Sequence, residues 1–369
     1  MMPAPMMPAP MISARSPEQE QFAGALHDML GAGAGGATTT GAARQWAAGD
    51  RAPGLGLWRE LAGLGVTALT VPPQWGGLGA SPLDLVVCCE EIGHHALPGP
   101  VAESLAAVPL LLTALCTEHL GTEGRRDEEL CAGWLTRLAD GDLLATLAMP
   151  PRLPYAVDAD AAGLVLLASA DTIRLATPGT RHQSVDGSRR LYEARGGRVV
   201  AHGPAVTEAI RRALTVGALA SAAQLLGAGR ALLEASVRHA TLRTQFGRPV
   251  GAFQAVKHRL ADVAIGLEFA RPLLDAAAVA LAGSCPTAGR DVSAAKVACA
   301  DAAHQAARAA LQVHGAIGYT REHDLSLWLT KVRALLPAWG TQAEHRAIVM
   351  AAVGGTGLTG TGLTGTGSP

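Results

Sequence analysis

The stretch RTQFGRPVGAFQAVKHRLADV, Arg243 to Val263, joins two long segments of helical apolar periodicity. It places Arg243, Phe246 and Arg248 within six residues of one another, next to a Gly-Arg-Pro break and a new helix start. A cation in the last turn of a helix is favoured by the helix dipole alone, so an ordinary charged loop also accounts for Arg243. Guanidinium groups beside an aromatic ring are, however, what a ligand with both phosphates and a ring requires.

The sequence around this junction predicts a helical bundle. Beyond the break, apolar residues recur at alternating spacings of three and four, which is the stripe of a bundle helix: Phe253, Val256, Leu260, Val263, Leu267, Ala270 and Leu274. The other predicted helices run from about Val206 to near Gly247, and over about 293–314, 324–336 and 341–353. We therefore expect a C-terminal bundle of four or five helices, residues 206–353.

Two further domains are predicted before the bundle. Residues 17–141 show short helical segments, one of which begins with Ser81 as an N-cap before Pro82. Residues 142–205 instead contain short apolar runs bounded by Gly, Asp and Pro, a pattern typical of strands: LLATLAM, GLVLLASA, TIRLAT and GRVVAHG. The predicted fold class is therefore α+β, with an N-terminal helical domain, a small middle β-domain and the C-terminal bundle.

Composition narrows the class of protein further. The two ends, residues 1–16 and 354–369, are low-complexity and are predicted to be disordered. The formal net charge of -1 gives no field that would attract nucleic acid or an anionic membrane. No apolar run is expected to reach the roughly 20 residues of a membrane span, and residues 1–13 lack the basic and apolar regions of a secretory signal. Six cysteines without a CxxC pair indicate buried, reduced thiols in a cytoplasmic protein: Cys88, Cys89, Cys116, Cys131, Cys285 and Cys299.

A second candidate site is QVHGAIGYTREHDL, Gln312 to Leu325, where Gly315 and Gly318 break the helical pattern. RTQFGRPVGAFQ resembles the R-x-x-F-G-(R/K)-x-(I/V)-x-x-x-Q signature of the acyl-CoA dehydrogenase family, and QVHGAIGYTREHDL resembles that family's Q-x-x-G-G-x-G-(F/Y) signature. VPPQWGGLGASPLDLVVCCEEIG is similar to its V-P-E-x-x-G-G-x-G…E-E-x-G segment. The three segments occur in family order, so the resemblance covers about residues 47–353.

The resemblance implies an FAD-dependent enzyme that oxidises an acyl-CoA thioester between its α- and β-carbons and passes the electrons to a transfer partner. In the family, the arginine and phenylalanine of the first signature, and the glutamine and glycines of the second, contact the FAD of a neighbouring subunit. The corresponding residues here are Arg243, Phe246, Gln312, Gly315 and Ala316. The resemblance therefore implies a homo- or hetero-oligomer in which cofactor contacts cross between chains.

The positions of the catalytic base depart from the family pattern. Most members carry the base as the glutamate of an E-G-T triplet, which corresponds here to Trp339. One branch carries it near the start of the first bundle helix, which corresponds to Gly217. Neither residue can accept a proton, and Glu322 is only a weak substitute, so the catalytic base stays unassigned. The T-E-P-x-A-G-S-D and W-I-T segments that hold the flavin ring in the family are also missing.

Three functions stay open from the sequence. The first is an acyl-CoA dehydrogenase of the actinobacterial type, working as one subunit of a hetero-oligomer. The second is a catalytically silent partner that completes the FAD site of a paralogue. The third is an offshoot of the family with oxidase or monooxygenase chemistry. Two helix pairs, Glu90/His94 and Glu91/His95, have the spacing of metal ligands, but an ordinary polar helix face is favoured and no metal site is predicted.

Overall fold

A computed structural model describes residues 15–35, 37–121, 124–320 and 323–354. The predicted disordered head and tail fall outside these residues, apart from Arg15, Ser16 and Gly354. The α-helices of the described residues are α1 (Pro17–Ala32), α2 (Thr39–Ala48), α3 (Ala52–Gly63), α4 (Pro82–His94), α5 (Val108–Thr117), α6 (Arg125–Ala139), α7 (Pro204–Leu242), α8 (Gln254–Ala282), α9 (Ala288–His314), α10 (Leu325–Leu335) and α11 (Gln342–Gly354). The strands are β1 (Ala145–Ala148), β2 (Ala156–Val157), β3 (Leu164–Ser169), β4 (Thr172–His182), β5 (Leu191–His202), β6 (Thr244–Gln245) and β7 (Arg248–Pro249).

The helices and strands follow the predicted α–β–α order. Helices α1 to α6 precede the main sheet, and the five helices α7 to α11 follow it, so the α+β fold class and the C-terminal bundle are confirmed. Ser81 is the N-cap of α4, as predicted. Its hydroxyl accepts a hydrogen bond from the Asp84 amide (3.3 Å), and the Asp84 carboxylate accepts one from the Ser81 amide (2.9 Å). This reciprocal pair satisfies two amides that the helix start would otherwise leave unpaired.

The middle of the chain forms a five-stranded mixed sheet of order β1-β3-β4-β5-β2. β1 and β3 are parallel, and the other pairings are antiparallel. The four predicted apolar runs supply β1, β3, β4 and β5, whereas the two-residue β2 was not predicted. Two hydrogen bonds of the Ser104 hydroxyl hold β1 against the helical layer. The hydroxyl donates to the Ala145 carbonyl (2.7 Å) and accepts from the Ala145 amide (2.9 Å).

The 39-residue helix α7 is the centre of the bundle and packs against α4, α8 and α9. By length and composition alone it also qualifies as a membrane span, contrary to the prediction that no apolar run is long enough. In the fold, 89% of its most apolar 18-residue window is buried. That degree of burial is typical of the core helix of a globular protein.

Two glycines let α4 and α7 cross with their backbones in contact. A Cβ atom at Gly93 of α4 would lie 2.2 Å from the Gln224 carbonyl oxygen. A Cβ atom at Gly227 of α7 would lie 1.8 Å from the Glu90 carbonyl oxygen. Both distances are far inside van der Waals contact, so no other residue type fits at this crossing without moving a helix.

Two details differ from the sequence predictions. Helix α7 ends at Leu242 rather than near Gly247, and β6 and β7 then form a short hairpin in which Thr244 pairs with Pro249. Arg243 therefore follows the helix instead of lying in its last turn. The six cysteines are free thiols, as predicted, but Cys285 is exposed and only the other five are buried.

A buried carboxylate ties the helical layers together. Glu90 of α4 is 0% exposed and accepts hydrogen bonds from Arg15 (2.8 Å), Arg230 of α7 (2.7 Å) and Arg271 of α8 (2.9 Å). Burial alone would raise the pKa of this carboxyl group, but the three arginine charges outweigh burial and lower the pKa to about 2. The ion cluster thus joins the residue that precedes α1 to three helices of the core.

We expect Glu90→Gln to lower the free energy of unfolding by about 3 kcal/mol, because it removes a carboxylate charge that three partly buried arginines share. The control is Glu208→Gln, which removes an exposed partner of Arg211 and should cost less than about 1 kcal/mol. Urea unfolding of the three proteins measures the difference. Equal losses in both variants would contradict the structural role of the Glu90 cluster.

The contribution of Glu90 to the free energy of unfolding should also depend on pH. It should be complete above about pH 4.5, the ordinary pKa, and be lost as the pH falls through about 2, the folded-state pKa.

Candidate functional site

The two positions at which the family pattern predicts a base lie against each other. Gly217 is in α7, and Trp339 is in the connection between α10 and α11, with its side chain buried (2% exposed). A Cβ atom on Gly217 would lie 2.1 Å from Cε3 of the Trp339 indole. The indole therefore covers Gly217 and fills the space into which a side chain from either position would reach.

The backbone around Trp339 is held in an unusual conformation. Trp339 has φ +62° and Gly340 has φ +109°, both in the left-handed half of the Ramachandran plot. A left-handed tryptophan is costly and persists only when its surroundings fix it. His345 of α11 supplies such a contact, since its Nε2–H donates to the Trp339 carbonyl oxygen (3.1 Å) and its Nδ1 lies 3.1 Å from the Ser293 hydroxyl oxygen.

Two buried ionisable groups near Trp339 were missed by sequence reasoning. Glu103 lies in a π-helical turn, Glu103–Ala107, a type of turn frequent at functional sites. Burial raises the pKa of Glu103, while Arg189 and the Trp339 indole act in the opposite direction. Lys296 of α9 is 0% exposed, and its Nζ donates to the Ser221 hydroxyl and to the Leu335 carbonyl oxygen, each at 2.9 Å.

Burial lowers the pKa of Lys296 to about 7, with a contribution from the Arg189 charge, so a large part of this lysine is neutral at physiological pH. The signal that could have revealed both residues is a charged side chain inside an apolar helical run. AESLAAV surrounds Glu103, and AAKVACA surrounds Lys296.

Trp339, His345 and Ser293 line a cavity of about 200 Å³, and two of the cavities of the described residues that are larger than this one differ in their lining. The larger, about 530 Å³, lies between the β4–β5 connection and the α10–α11 region, and is lined by Gln183, Ser184, Arg189, Arg333, Thr341 and Gln342, among others. The smaller, about 280 Å³, lies between α4, α5 and α7 and is lined by Leu85, Ala106, Leu110 and Val216, among others. The first offers cations and hydrogen-bonding groups, and the second offers mainly apolar and hydroxyl-bearing walls.

Two of the predicted cofactor contacts, Arg243 and Phe246, lie just beyond the other end of α7. Arg243 is exposed and makes no ion pair with any residue that the structure describes. Phe246 is 91% exposed and has φ +51°, so the hairpin holds an aromatic ring out in solvent. Stacking of the His239 and His314 rings, with centroids 4.3 Å apart, joins the ends of α7 and α9.

The residues predicted from the second signature lie next to His314, at the end of α9 and in the turn that follows. Gln312 is in the last turn of α9, Gly315 has φ +61°, and Ala316 is exposed in the 3₁₀ turn that follows. Arg243, Phe246, Gln312, Gly315 and Ala316 lie at or soon after the two helix ends that this stacking joins, and this set of residues is named here the signature surface. Glu322, the weak candidate base, lies outside the described residues.

The signature surface is remote from the two base positions. Helix α7 runs 25 residues from Gly217 to Leu242, which is about 38 Å at a rise of 1.5 Å per residue. An unpaired guanidinium beside an exposed aromatic ring and a positive-φ glycine suits a diphosphate with an attached ring system.

Comparison with known proteins gives a consistent set of relatives. Residues 17–142 match the family model "Acyl-CoA dehydrogenase, N-terminal domain", and residues 207–354 match "Acyl-CoA dehydrogenase, C-terminal domain". The chain is 31% identical over 298 residues to the acyl-CoA dehydrogenase IpdE2 of Mycobacterium tuberculosis, covering 79% of this chain and 84% of that protein.

Solved structures show the same fold. Butyryl-CoA dehydrogenase from Megasphaera elsdenii superposes with a TM-score of 0.75 at 20% identity, covering 93% of this chain and 100% of the other. A variant of the Tcur3481-Tcur3483 steroid ACAD superposes with a TM-score of 0.73 at 23% identity, covering 92% of this chain and 98% of the other.

We expect Gly217→Ala to destabilise the chain by about 1–3 kcal/mol, the usual cost of overpacking, because the added methyl group meets the Trp339 ring. Gly133→Ala in α6 is the matched control. No atom lies within 4 Å of a Cβ there, so the change should be neutral or stabilise by up to about 1 kcal/mol through helix propensity. Combining Gly217→Ala with Trp339→Leu should recover part of the loss. Thermal unfolding of the wild type and the three variants measures this, and a Gly217→Ala protein as stable as the wild type would contradict the contact.

Proposed function

Because this chain belongs to the acyl-CoA dehydrogenase family, whose members are FAD-dependent oxidoreductases that act on acyl-CoA, we propose that it works as one subunit of a hetero-oligomeric acyl-CoA dehydrogenase. Its part would be to complete the FAD site of a paralogous subunit that carries the catalytic base. The observation that carries this proposal is the contact of the Trp339 indole with Gly217. Both usual positions for a carboxylate are closed by that one contact.

The chemistry explains why this contact matters. Dehydrogenation of an acyl thioester requires a general base for the α-proton, and the cofactor, when bound, supplies the acceptor for the β-hydride. A glycine and a buried tryptophan can orient groups and exclude water, but neither can take up a proton. A subunit built in this way contributes to binding and leaves proton removal to another chain.

The signature surface supports the cofactor part of the proposal. Arg243 would pair with the FAD diphosphate, Phe246 would contact a ring, and Gln312 with Gly315 would contact the adenosine end. The separation of about 38 Å along α7 from Gly217 supports a cofactor that belongs to a neighbouring chain. Within this chain, the cavity beside Thr341 and Arg189 has room and hydrogen-bonding groups, although the usual segments for the flavin ring are missing.

The relatives support a substrate class. IpdE2 is an acyl-CoA dehydrogenase, and one structural relative is a steroid ACAD. We extend this to a bulky or polycyclic acyl-CoA as substrate, an electron-transfer partner as acceptor, and a cytoplasmic location.

A second candidate function is an acyl-CoA dehydrogenase active by itself with Glu103 as its base. This candidate rests on the burial of Glu103, on its raised pKa and on its interaction with Trp339. A carboxyl group with a raised pKa is a better match to proton transfer near neutral pH than an ordinary surface glutamate.

The test is turnover with and without a partner. We expect the homogeneous chain to reduce an artificial electron acceptor at background rates with short, branched and steroid-like acyl-CoA substrates. Addition of a paralogous subunit with a glutamate at either base position should raise the rate by at least about 100-fold, the lower end of what a general base contributes.

The variants separate the two functions. Replacing the partner's base by glutamine should abolish turnover of the complex, whereas Glu103→Gln in this chain should leave it unchanged. Robust turnover by this chain alone, lost in Glu103→Gln, would refute the partner function and establish the second one. Failure of the two chains to associate would refute the first without supporting the second.

Flavin content tests the signature surface separately. We expect Arg243→Ala to weaken FAD binding by the assembled complex by about 10- to 100-fold, since a hydrogen bond to a charged group contributes about 1.5–3 kcal/mol. Arg125→Ala is the control, because Arg125 is 89% exposed on α6 and pairs only with Glu129 among the described residues. Flavin absorbance after gel filtration measures occupancy. Unchanged occupancy in Arg243→Ala would remove this residue from the cofactor site.

A further inference from the structure

Three histidines and a glutamate meet where α1 packs on α4. His27 belongs to α1, Glu91 and His94 to α4, and His95 is the residue directly after α4. One candidate ligand atom of each of the four lies within 4.8 Å of the others. The three imidazole centroids are 4.7–5.0 Å apart in every pairing. These four residues are named here the histidine cluster.

Three members of the cluster already have the spacing of metal ligands. His27 Nδ1 is 3.0 Å from Glu91 Oε2 and 3.3 Å from His95 Nε2. Around a tetrahedral zinc ion with bonds of about 2.0–2.1 Å, neighbouring ligand atoms lie about 3.3 Å apart. A proton shared between His27 and one neighbour can satisfy only one of these two contacts, whereas a single cation satisfies all three atoms.

The fourth member, His94, has a nitrogen without a partner. Its Nε2 pairs with Glu234 Oε2 of α7 at 2.9 Å, which leaves Nδ1 buried and without a hydrogen bond in the part of the chain that the structure describes. The His94 residue is 8% exposed. Ligation of a metal by Nδ1, with a carboxylate holding the opposite ring nitrogen, is the arrangement by which proteins orient metal-binding histidines.

The surrounding charges leave one Glu91 oxygen for a cation. Arg230 binds Glu91 Oε1 (2.8 Å) and also Glu90 (2.7 Å), so its charge is shared between two carboxylates and Glu91 Oε2 faces His27.

We propose that His27, Glu91, His94 and His95 form a four-coordinate Zn²⁺ site that joins α1 to α4, with Glu234 of α7 as the residue that orients His94. Four protein ligands and no open position are typical of a structural zinc site rather than a catalytic one. The His27 side chain is 45% exposed, which gives an ion a route from solvent. Sequence spacing alone favoured an ordinary helix face because short motifs are weak signals, and His27, 64 residues away from Glu91, was not part of the pattern.

The test uses the full chain without a histidine tag, freed of metal with a chelator and titrated with Co²⁺ as a spectroscopic probe and with Zn²⁺ by calorimetry. We expect one equivalent of each metal to bind, with the intense visible absorption of tetrahedral Co²⁺, and Zn²⁺ to raise the Tm. His27→Gln should weaken Zn²⁺ binding by at least about 100-fold and abolish the tetrahedral spectrum. Glu234→Gln should weaken binding by about 10-fold, as expected when an orienting partner is lost.

The matched control is His182→Gln. His182 forms a histidine–glutamate pair of the same length, 3.0 Å to Glu193, on the sheet and away from the cluster. It should bind one equivalent with unchanged affinity. Far-UV circular dichroism and gel filtration check that His27→Gln, a change at a half-exposed helix position, keeps the fold.

Two results would overturn the proposal. One is a wild-type chain that binds neither ion at micromolar concentration. The other is a folded His27→Gln protein that binds zinc as tightly as the wild type. An octahedral Co²⁺ spectrum would count against it as well, because it would show the ion held mainly by water.

Discussion

The contact between the backbones of α4 and α7 is the constraint on which the rest of the molecule depends. Gly93 and Gly227 allow these helices to approach until a carbonyl oxygen of each meets the Cα of the other. That approach brings Glu90 into the arginine cluster and places the last turn of α4 against Glu234. The N-terminal helices and the bundle are therefore held together by van der Waals contact and buried charge at the same few residues.

Sequence patterns predicted the large features because each rests on a local rule. Ser81 caps α4 since a serine before proline stabilises a helix start, and the stripe from Phe253 to Leu274 forms α8 because one face of that helix must be buried. The end of α7 at Leu242 was missed. It depends on the Thr244–Pro249 hairpin, which has only two paired residues in each strand and so little periodicity to detect.

In the candidate sites, too, local motifs could be predicted from the sequence, whereas contacts between distant segments could not. The signature residues Arg243 and Gln312 could be found by motif, but the contact of His239 with His314, which joins the ends of α7 and α9, is not revealed by spacing. Glu103 and Lys296 were missed because one charge within an apolar helical run is a weak signal, and its burial depends on which elements pack against that run. His27 joins α4 only through the packing of α1, so a search for ligands along the α4 segment could find three of the four members at most.

The fit of the Trp339 ring onto Gly217 also constrains how such a chain can evolve. A glutamate introduced at Gly217 alone would collide with the indole, and one introduced at Trp339 alone would replace a buried aromatic ring with an uncompensated charge beside Glu103. Each single step back towards a proton-accepting side chain is penalised by the residue still in place at the other position. Once both residues are in place, a proton-accepting side chain returns at these positions only through coordinated changes at both.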